Sequence, residues 1–222
     1  MKRVKQVTLV QGFIIFFFGC MFAEKGAELV REGKRAKHAY RPKRQPIWLR
    51  PPRDTNCQRV QSRVGMSVRA RTLPKDLEEA TAVVRELLQE PIILGIDEIQ
   101  LLYNPPDGVP ADEAKVQAFI DVLIDGARRG SRIFLAGLDT NFRGEPFPIS
   151  KALLLHAQVL KRQLTAICSK CLSDHATLTQ RLVDGKPAPR SDPTIVVKGD
   201  EARDARTAYE PRCIHCHEVP DA

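Results

Sequence analysis

Four cysteines in two pairs, Cys168-Ser-Lys-Cys171 and Cys213-Ile-His-Cys216, carry the sharpest chemical signal in this chain. Two residues between partners make a tight knuckle that turns both sulfurs toward one point. Two such knuckles supply four thiolates, the set that holds Zn²⁺ tetrahedrally at Zn–S distances of about 2.3 Å. Four protein ligands leave zinc no open position, so a site of this kind is structural rather than catalytic. A pair of disulfides is the alternative reading, and it fits an oxidising compartment better than the cytoplasm expected for this chain. His217, next to the last pair, is a further candidate ligand in place of Cys216.

Two other groupings can do chemistry on phosphates. Gly19-Cys20-Met21-Phe22-Ala23-Glu24-Lys25-Gly26 follows an apolar run and precedes a helical pattern. A phosphate-binding loop has the form GxxxxGK[ST]. Its backbone N–H groups wrap the phosphates, its Lys reaches the β and γ oxygens, and its Ser or Thr binds Mg²⁺. Gly19 and Lys25 hold the right spacing, but Glu24 stands at the second glycine and Gly26 at the hydroxyl position. The second grouping is Asp97-Glu98, which closes the apolar run Ile92-Ile-Leu-Gly-Ile96. An Asp at a strand end can hold Mg²⁺ or its waters. A Glu beside it can take a proton from an attacking hydroxyl. Taken singly, the loop reads equally as an ordinary strand–turn–helix connection, and the acidic pair as a solvated strand end.

These groups need a scaffold that brings strand ends together. Ile14–Phe18 reads as a strand, Lys25–Ala39 as a helix, Ile47–Leu49 and Ser67–Arg71 as short strands, and Leu77–Gln89 as an amphipathic helix. Ile92–Asp97 and Arg132–Leu138 read as buried strands, Ala111–Arg129 as a helix stopped by Gly130, and Ser150–Gln163 as a helix. Alternation of this kind predicts an α/β fold: a parallel sheet with helices on both faces. In such sheets ligands bind at the carboxyl ends of the strands, where both phosphate groupings fall. Beyond residue 163 the pattern changes to short β-like runs, at Ala176–Leu182 and Thr194–Lys198, between the cysteine pairs. The expected organisation is an α/β nucleotide-binding domain over 1–163 and a small zinc-binding domain over 164–222.

The chain has 222 residues, 43% hydrophobic and 28% charged, enough for one full core and a satellite. The net charge of +8 is uneven: residues 1–75 carry 18 Lys and Arg against 4 Asp and Glu, the remainder 17 against 23. Such asymmetry fits an anionic partner or a solvated basic face. Aromatic residues at 6% argue against a stacking platform for nucleic acid. Lys2, Arg3 and Lys5 before Phe13–Phe22 resemble a secretory signal superficially. The run is too short to span a membrane, which takes about 20 apolar residues. A strand buried on both faces is the favoured reading.

Several stretches resemble the type II thymidine kinases, cellular and bacterial. Gly19–Gly26 looks like the family's GPMFSGKT loop and Ile96-Asp-Glu-Ile-Gln100 like its IDEGQ segment. Ala136-Gly-Leu-Asp-Thr-Asn-Phe-Arg-Gly-Glu-Pro-Phe147 is close to AGLDxxFxGxPF, and Lys161–Cys171 resembles KLTAxCxxC. Thr179-Gln-Arg-Leu182 and Tyr209–Cys216 are similar to later parts of the family pattern. The likeness spans about residues 14–217 and is strongest from 91 onward.

The resemblance implies a P-loop-type sheet plus a zinc-ribbon-like lobe with a lasso loop within Thr194–Tyr209. It implies transfer of the ATP γ-phosphate to the 5′-hydroxyl of thymidine, giving dTMP, with Glu98 as general base. It implies ATP contacts at Gly19, Cys20, Met21, Phe22, Ala23, Glu24, Lys25, Gly26, Asp97 and Gln100, with Mg²⁺ near Asp97. It implies nucleoside contacts at Phe142, Thr179 and Tyr209, zinc on Cys168, Cys171, Cys213 and Cys216, and a cytoplasmic homotetramer with no membrane or stable nucleic-acid partner. Asp54 matches the family's DTR segment, whose Arg is Asn56 here.

This chain departs from the pattern at the loop. Gly26 offers Mg²⁺ no oxygen, and Glu24 adds a charge near the phosphates. Charges about 4 Å apart interact by ~4 kcal/mol at an effective dielectric near 20, so Glu24 weakens ATP binding unless it points away. The lasso is also longer and more charged than usual. The alternative function is therefore a pseudokinase that keeps the fold and nucleoside binding. A zinc-ribbon nucleic-acid binder is the third reading, and it would lose affinity steeply with salt.

Overall fold

In β1 (Phe13–Phe18) successive side chains enter two different cores. Ile14 and Phe16 join the core under three helices, while Phe17, with Phe13 and Ile15, packs under α1 (Lys25–Ala36) on the other face. The same alternation runs through β6 (Ile93–Ile96) and β7 (Arg132–Gly137). Strands covered on both faces lose the polar alternation of a half-exposed sheet, so they read as continuous apolar runs. This settles residues 13–18 as a strand rather than the core of a secretory signal. The computed structural model describes residues 11–39, 44–52, 59–195 and 206–221. No helix among them is long and apolar enough to cross a membrane.

The main sheet has six parallel strands in the order β5-β2-β6-β7-β1-β8, adding β2 (Ile47–Arg50), β5 (Arg71–Thr72) and β8 (Val159–Gln163). From β1 the chain crosses through α1 toward β2. From β7 it crosses through α4 (Pro148–Leu155) to β8 on the opposite side of β1. Connections therefore diverge at the carboxyl end of β1, the switch point at which open α/β sheets bind ligands. α2 (Leu77–Leu87), α3 (Glu113–Arg128) and α4 cover one face. Asp76 and Asp112 start α2 and α3 by accepting the N–H groups of the first turn. Gly130, at φ +101°, stops α3.

Four expectations need correction. The first helix ends at Ala36, and 37–39 form a 3₁₀ turn. Ser67–Arg71 is not one strand: β4 (Ser67–Arg69) pairs with β3 (Arg59–Gln61) in a separate hairpin, and β5 joins the main sheet. Buried Ala70 marks the switch between them. The helix expected over 150–163 starts earlier, with Pro148 in its first turn, and ends at Leu155; β8 follows and pairs with β1. Of β8 only Val159 is buried, so the backbone pairing that completes β1, not side-chain periodicity, decides its form. Finally, β11 (Thr207–Arg212) was not anticipated; it pairs with β9 (Leu178–Val183), which also carries β10 (Lys186–Pro187), in a three-stranded antiparallel sheet. Residues 196–198 of the strand expected at 194–198 lie outside the described residues, as do Asp54 and Cys57, and Thr194 and Ile195 are in no strand.

Trp48 fills the space between sheet and helix, as a core residue should. A Cβ on Gly95 of β6 would stand 2.3 Å from its ring, and one on Gly33 of α1 2.4 Å. Gly95→Ala is expected to cost about 1–3 kcal/mol by overpacking, lowering the melting midpoint by roughly 2–4 °C per kcal/mol. Thermal unfolding of wild type and variant measures this, and an unchanged midpoint contradicts the packing described.

Candidate functional site

The two cysteine knuckles meet. Cys168 and Cys171 follow β8, Cys213 and Cys216 follow β11, and the four sulfurs all lie within 4.8 Å of one another. Cys171 Sγ and Cys213 Sγ are 3.6 Å apart. Tetrahedral coordination at about 2.3 Å puts sulfurs roughly 3.8 Å apart, so the residues fit a zinc ion. All four are free thiols here, with no pair at the roughly 2.05 Å of a disulfide. Burial opposes ionisation of Cys168, yet backbone N–H groups at Cys213, Cys171 and Lys170 outweigh it and bring the thiol down to about 6. His217 is not part of the cluster: its Nε2 lies 2.9 Å from the Phe142 carbonyl oxygen.

At the carboxyl end of β1 the loop Gly19–Glu24 turns into α1. Gly19 has φ +139°, and a Cβ there would collide with the Leu164 carbonyl at 2.1 Å, so only glycine fits. Glu24, at the second glycine position, has φ +55° and an exposed side chain. The backbone thus keeps the left-handed conformation that glycine adopts without strain, and Glu24 occupies it at a cost. Lys25 is buried, with its Nζ donating to the Cys20 carbonyl at 2.6 Å. Burial pulls its ammonium below the usual lysine range, against the opposing pull of Glu98, Cys20 and Asp97. A Cβ on Gly26 would lie 3.6 Å from Asp97 Oδ2 with no clash, so the missing hydroxyl has room beside this carboxylate.

The ends of β6 and β7 supply the acidic groups. Asp97 is lifted to about 7, first by burial and then by the Glu98 charge, with the Glu98 N–H, Lys25 and Arg50 opposing. Glu98 has φ +50° and opens the 3₁₀ turn Ile99–Leu102. Its Oε2 accepts from Gln100 Nε2 at 2.6 Å, while Gln100 Oε1 accepts from the Leu138 N–H at 3.0 Å. Gln100 is 1% exposed. Gly137 leaves it space, since a Cβ there would stand 2.6 Å from Gln100 Oε1.

Two cavities flank Glu98. One, of about 160 Å³, is lined by Phe22, Glu24, Lys25, Gly26, Arg63 and Asp97. The other, of about 200 Å³, lies between the two sheets and is lined by Phe142, Phe147, Thr179, Arg181 and Tyr209. Met21, Glu98 and Leu138 belong to both. Two roomier grooves, of about 850 Å³ beside β2 and β5 and about 740 Å³ between α3 and α4, hold none of these groups.

Arg181 is a site residue that sequence reasoning passed over. It is 1% exposed, its Cζ lies 4.1 Å from the Phe142 ring centroid, and its Nε donates to Tyr209 Oη at 3.2 Å. Its terminal nitrogens donate to the carbonyls of Pro193 and Thr194. Asp107 holds Thr194 from the α/β side through its N–H and hydroxyl. In the sequence Arg181 is one polar residue among Thr179, Gln180 and Arg181; only the fold shows that it is buried among carbonyls and rings.

Residues 12–217 match the family model described as "Thymidine kinase". The chain belongs to the thymidine kinase family. It is 38% identical over 209 residues to the thymidine kinase of Roseiflexus castenholzii (strain DSM 13941 / HLO8), covering 93% of this chain and 95% of that one. It is 37% identical over 212 residues to the thymidine kinase of Roseiflexus sp. (strain RS-1), covering 95% and 97%. One solved structure, the cytoplasmic domain of the Thermomonospora curvata type VII secretion ATPase EccC, superposes with a TM-score of 0.43 at 10% identity, over 82% of this chain and 23% of its own.

Asp97 gives this thymidine kinase family member a pH signature. Its folded carboxyl titrates at about 7 against an ordinary value of 3.8. Between those values the folded state keeps a proton that the unfolded chain has released, so stability falls as pH rises through the window. Asp97→Asn is expected to flatten that slope in Mg²⁺-free buffer, measured by urea unfolding across the window. The same slope in the variant contradicts the assignment.

Proposed function

We propose that this chain is a thymidine kinase that transfers the γ-phosphoryl group of ATP to the 5′-hydroxyl of thymidine, giving dTMP and ADP. One observation carries the reading: the loop cavity and the inter-sheet cavity meet at Glu98. A phosphoryl donor in the first and a nucleoside in the second bring the γ-phosphorus and the 5′-oxygen together beside one carboxylate.

In this reading Glu98 is the general base. It takes the 5′-hydroxyl proton as the O5′–Pγ bond forms and the bond from Pγ to the β-phosphate oxygen breaks, so ADP leaves. Gln100 is implied by the resemblance to contact ATP; with its amide engaged by Glu98 and Leu138, we assign it instead to aiming the base. Lys25 and the N–H groups at the start of α1 bind the donor phosphates. Asp97 would hold Mg²⁺, and Gly26 would offer it no side-chain oxygen. Bound there, Mg²⁺ would supply positive charge against the charge developing on the donor phosphates. Phe142, Thr179 and Tyr209 line the nucleoside side, with Arg181 holding Tyr209 and the 193–194 backbone in place. Cys168, Cys171, Cys213 and Cys216 hold a structural zinc in a lobe that we place at 164–222, against an ATP domain at 1–163. Tetramer assembly rests on the resemblance alone and is read out by solution mass.

The test is thymidine-dependent ADP release with Mg²⁺. Wild type is expected to turn over, and Glu98→Gln to lose roughly 10²–10⁴-fold in kcat while remaining folded. Equal rates in the two proteins remove Glu98 as the base.

A second reading, a pseudokinase that binds nucleoside without turnover, is favoured by Glu24 and Gly26 at the loop. Exposure of Glu24 weighs against it, because solvent screens an exposed charge. Glu24→Gly is therefore expected to lower the ATP KM by only roughly two- to fivefold. A variant that gains turnover from an inactive wild type establishes the pseudokinase instead.

A further inference from the structure

The phosphate loop is fastened at its tip to the zinc lobe. The Cys20 thiol donates to the carbonyl oxygen of Ala176 at 3.2 Å, across 156 residues of chain. The Met21 N–H donates to Thr179 Oγ1 at 3.0 Å. Cys20 and Thr179 are 1% and 3% exposed, so both side chains are held away from bulk water. Cys20 and Ala23 share one buried cluster with Ala166, Ala176 and the metal-cluster thiols Cys168, Cys213 and Cys216. Ala166 and Ala176 bracket the first knuckle and bond to each other through both N–H groups, at 3.0 Å. A short path thus runs from the four sulfurs, through the Ala166–Ala176 bridge, to the loop.

The path ends on the chemistry. The Cys20 carbonyl holds Lys25 Nζ while the thiol of the same residue holds the zinc lobe. Cys20 stands where the family pattern has proline, which has no donor to offer. Thr179, implied by the resemblance to contact the nucleoside, uses its hydroxyl on the loop backbone. We propose that Cys20 and Thr179 are positioning residues through which metal loading of the four cysteines sets the conformation of the phosphate loop, so that the zinc lobe governs the donor site as well as the nucleoside pocket.

Without the ion, four neighbouring thiols lose the common partner that fixes the knuckle geometry. Ala176 and Thr179 then lose their fixed place against the loop. The Met21 amide reports this directly, since its exchange with solvent requires the bond to Thr179 to open.

The test is amide hydrogen exchange of residues 19–26 in the full, zinc-loaded chain. Thr179→Val keeps the shape and removes the acceptor; exchange in the loop is expected to rise roughly fivefold, with β1 and β7 unchanged. Thr179→Ser restores the acceptor and the protection. Removing zinc from wild type is expected to give the same loop-confined rise, and added Zn²⁺ to reverse it. A Thr179→Val, Cys20→Ala double variant is expected to show fast loop exchange with or without zinc. Should that variant fail to fold, zinc removal from wild type and Thr179→Ser carry the test. Loop exchange that ignores zinc, protection lost equally in β1 and β7, or no rescue by serine overturns the inference. It rests on the reading of Gly19–Gly26 as the nucleotide loop, and the two fail separately. Absence of ATP binding to zinc-loaded wild type by calorimetry removes that reading, while ATP binding with zinc-independent loop exchange overturns the tether alone.

Discussion

The amide of Gln100 is the small interaction on which the site depends. One end donates to Glu98 and the other accepts from the Leu138 backbone, so a single buried side chain ties the ends of two adjacent parallel strands. Glu98 sits in left-handed backbone geometry that a glutamate does not choose alone. Strain of this kind persists only where the surroundings over-determine it. Gln100 and the bare Cα of Gly137 are those surroundings, and they aim the carboxylate at the wall shared by the two cavities.

Charge balance is the second constraint. Lys25, Asp97 and Glu98 are drawn together at strand ends where water is largely excluded, with half-buried Asp139 beside them. Burial disfavours the charges of Lys25, Asp97 and Asp139, and all three shift toward their neutral forms. Such an arrangement gains when a polyanion and a divalent cation enter together, because each satisfies groups the protein leaves under-compensated. The departures at Glu24 and Gly26 lie at the rim of this cluster. Glu24 faces solvent, and Gly26 leaves a gap beside Asp97 without disturbing it.

What the sequence makes legible follows the range of the physics behind it. The cysteine pairs, the loop between β1 and α1, and the acidic end of β6 are short motifs whose chemistry is carried by spacing, and each lies where its spacing implies. β1, β6 and β7 are readable because burial on two faces writes continuous apolar runs. β8 is not readable, since it becomes a strand by completing β1 rather than by any pattern of its own. Arg181 escapes because the Pro193 and Thr194 carbonyls, Tyr209 Oη and the Phe142 ring gather around it only in the fold. Gln100 is marked by the resemblance as an ATP contact, but its bond to the Leu138 N–H, 38 residues on, is not legible. The bond from Cys20 to Ala176 is further still from anything a local pattern can express.

The proposed chemistry requires one carboxylate, Glu98, to serve both cavities. A crystal structure with thymidine and a non-hydrolysable ATP analogue measures this most directly. The thymidine 5′-oxygen is expected within roughly 2.6–3.2 Å of the Glu98 carboxylate, with the analogue's phosphates over Lys25. A nucleoside bound away from Phe142 and Tyr209, or Glu98 turned away from the 5′-oxygen while both ligands are in place, would contradict it.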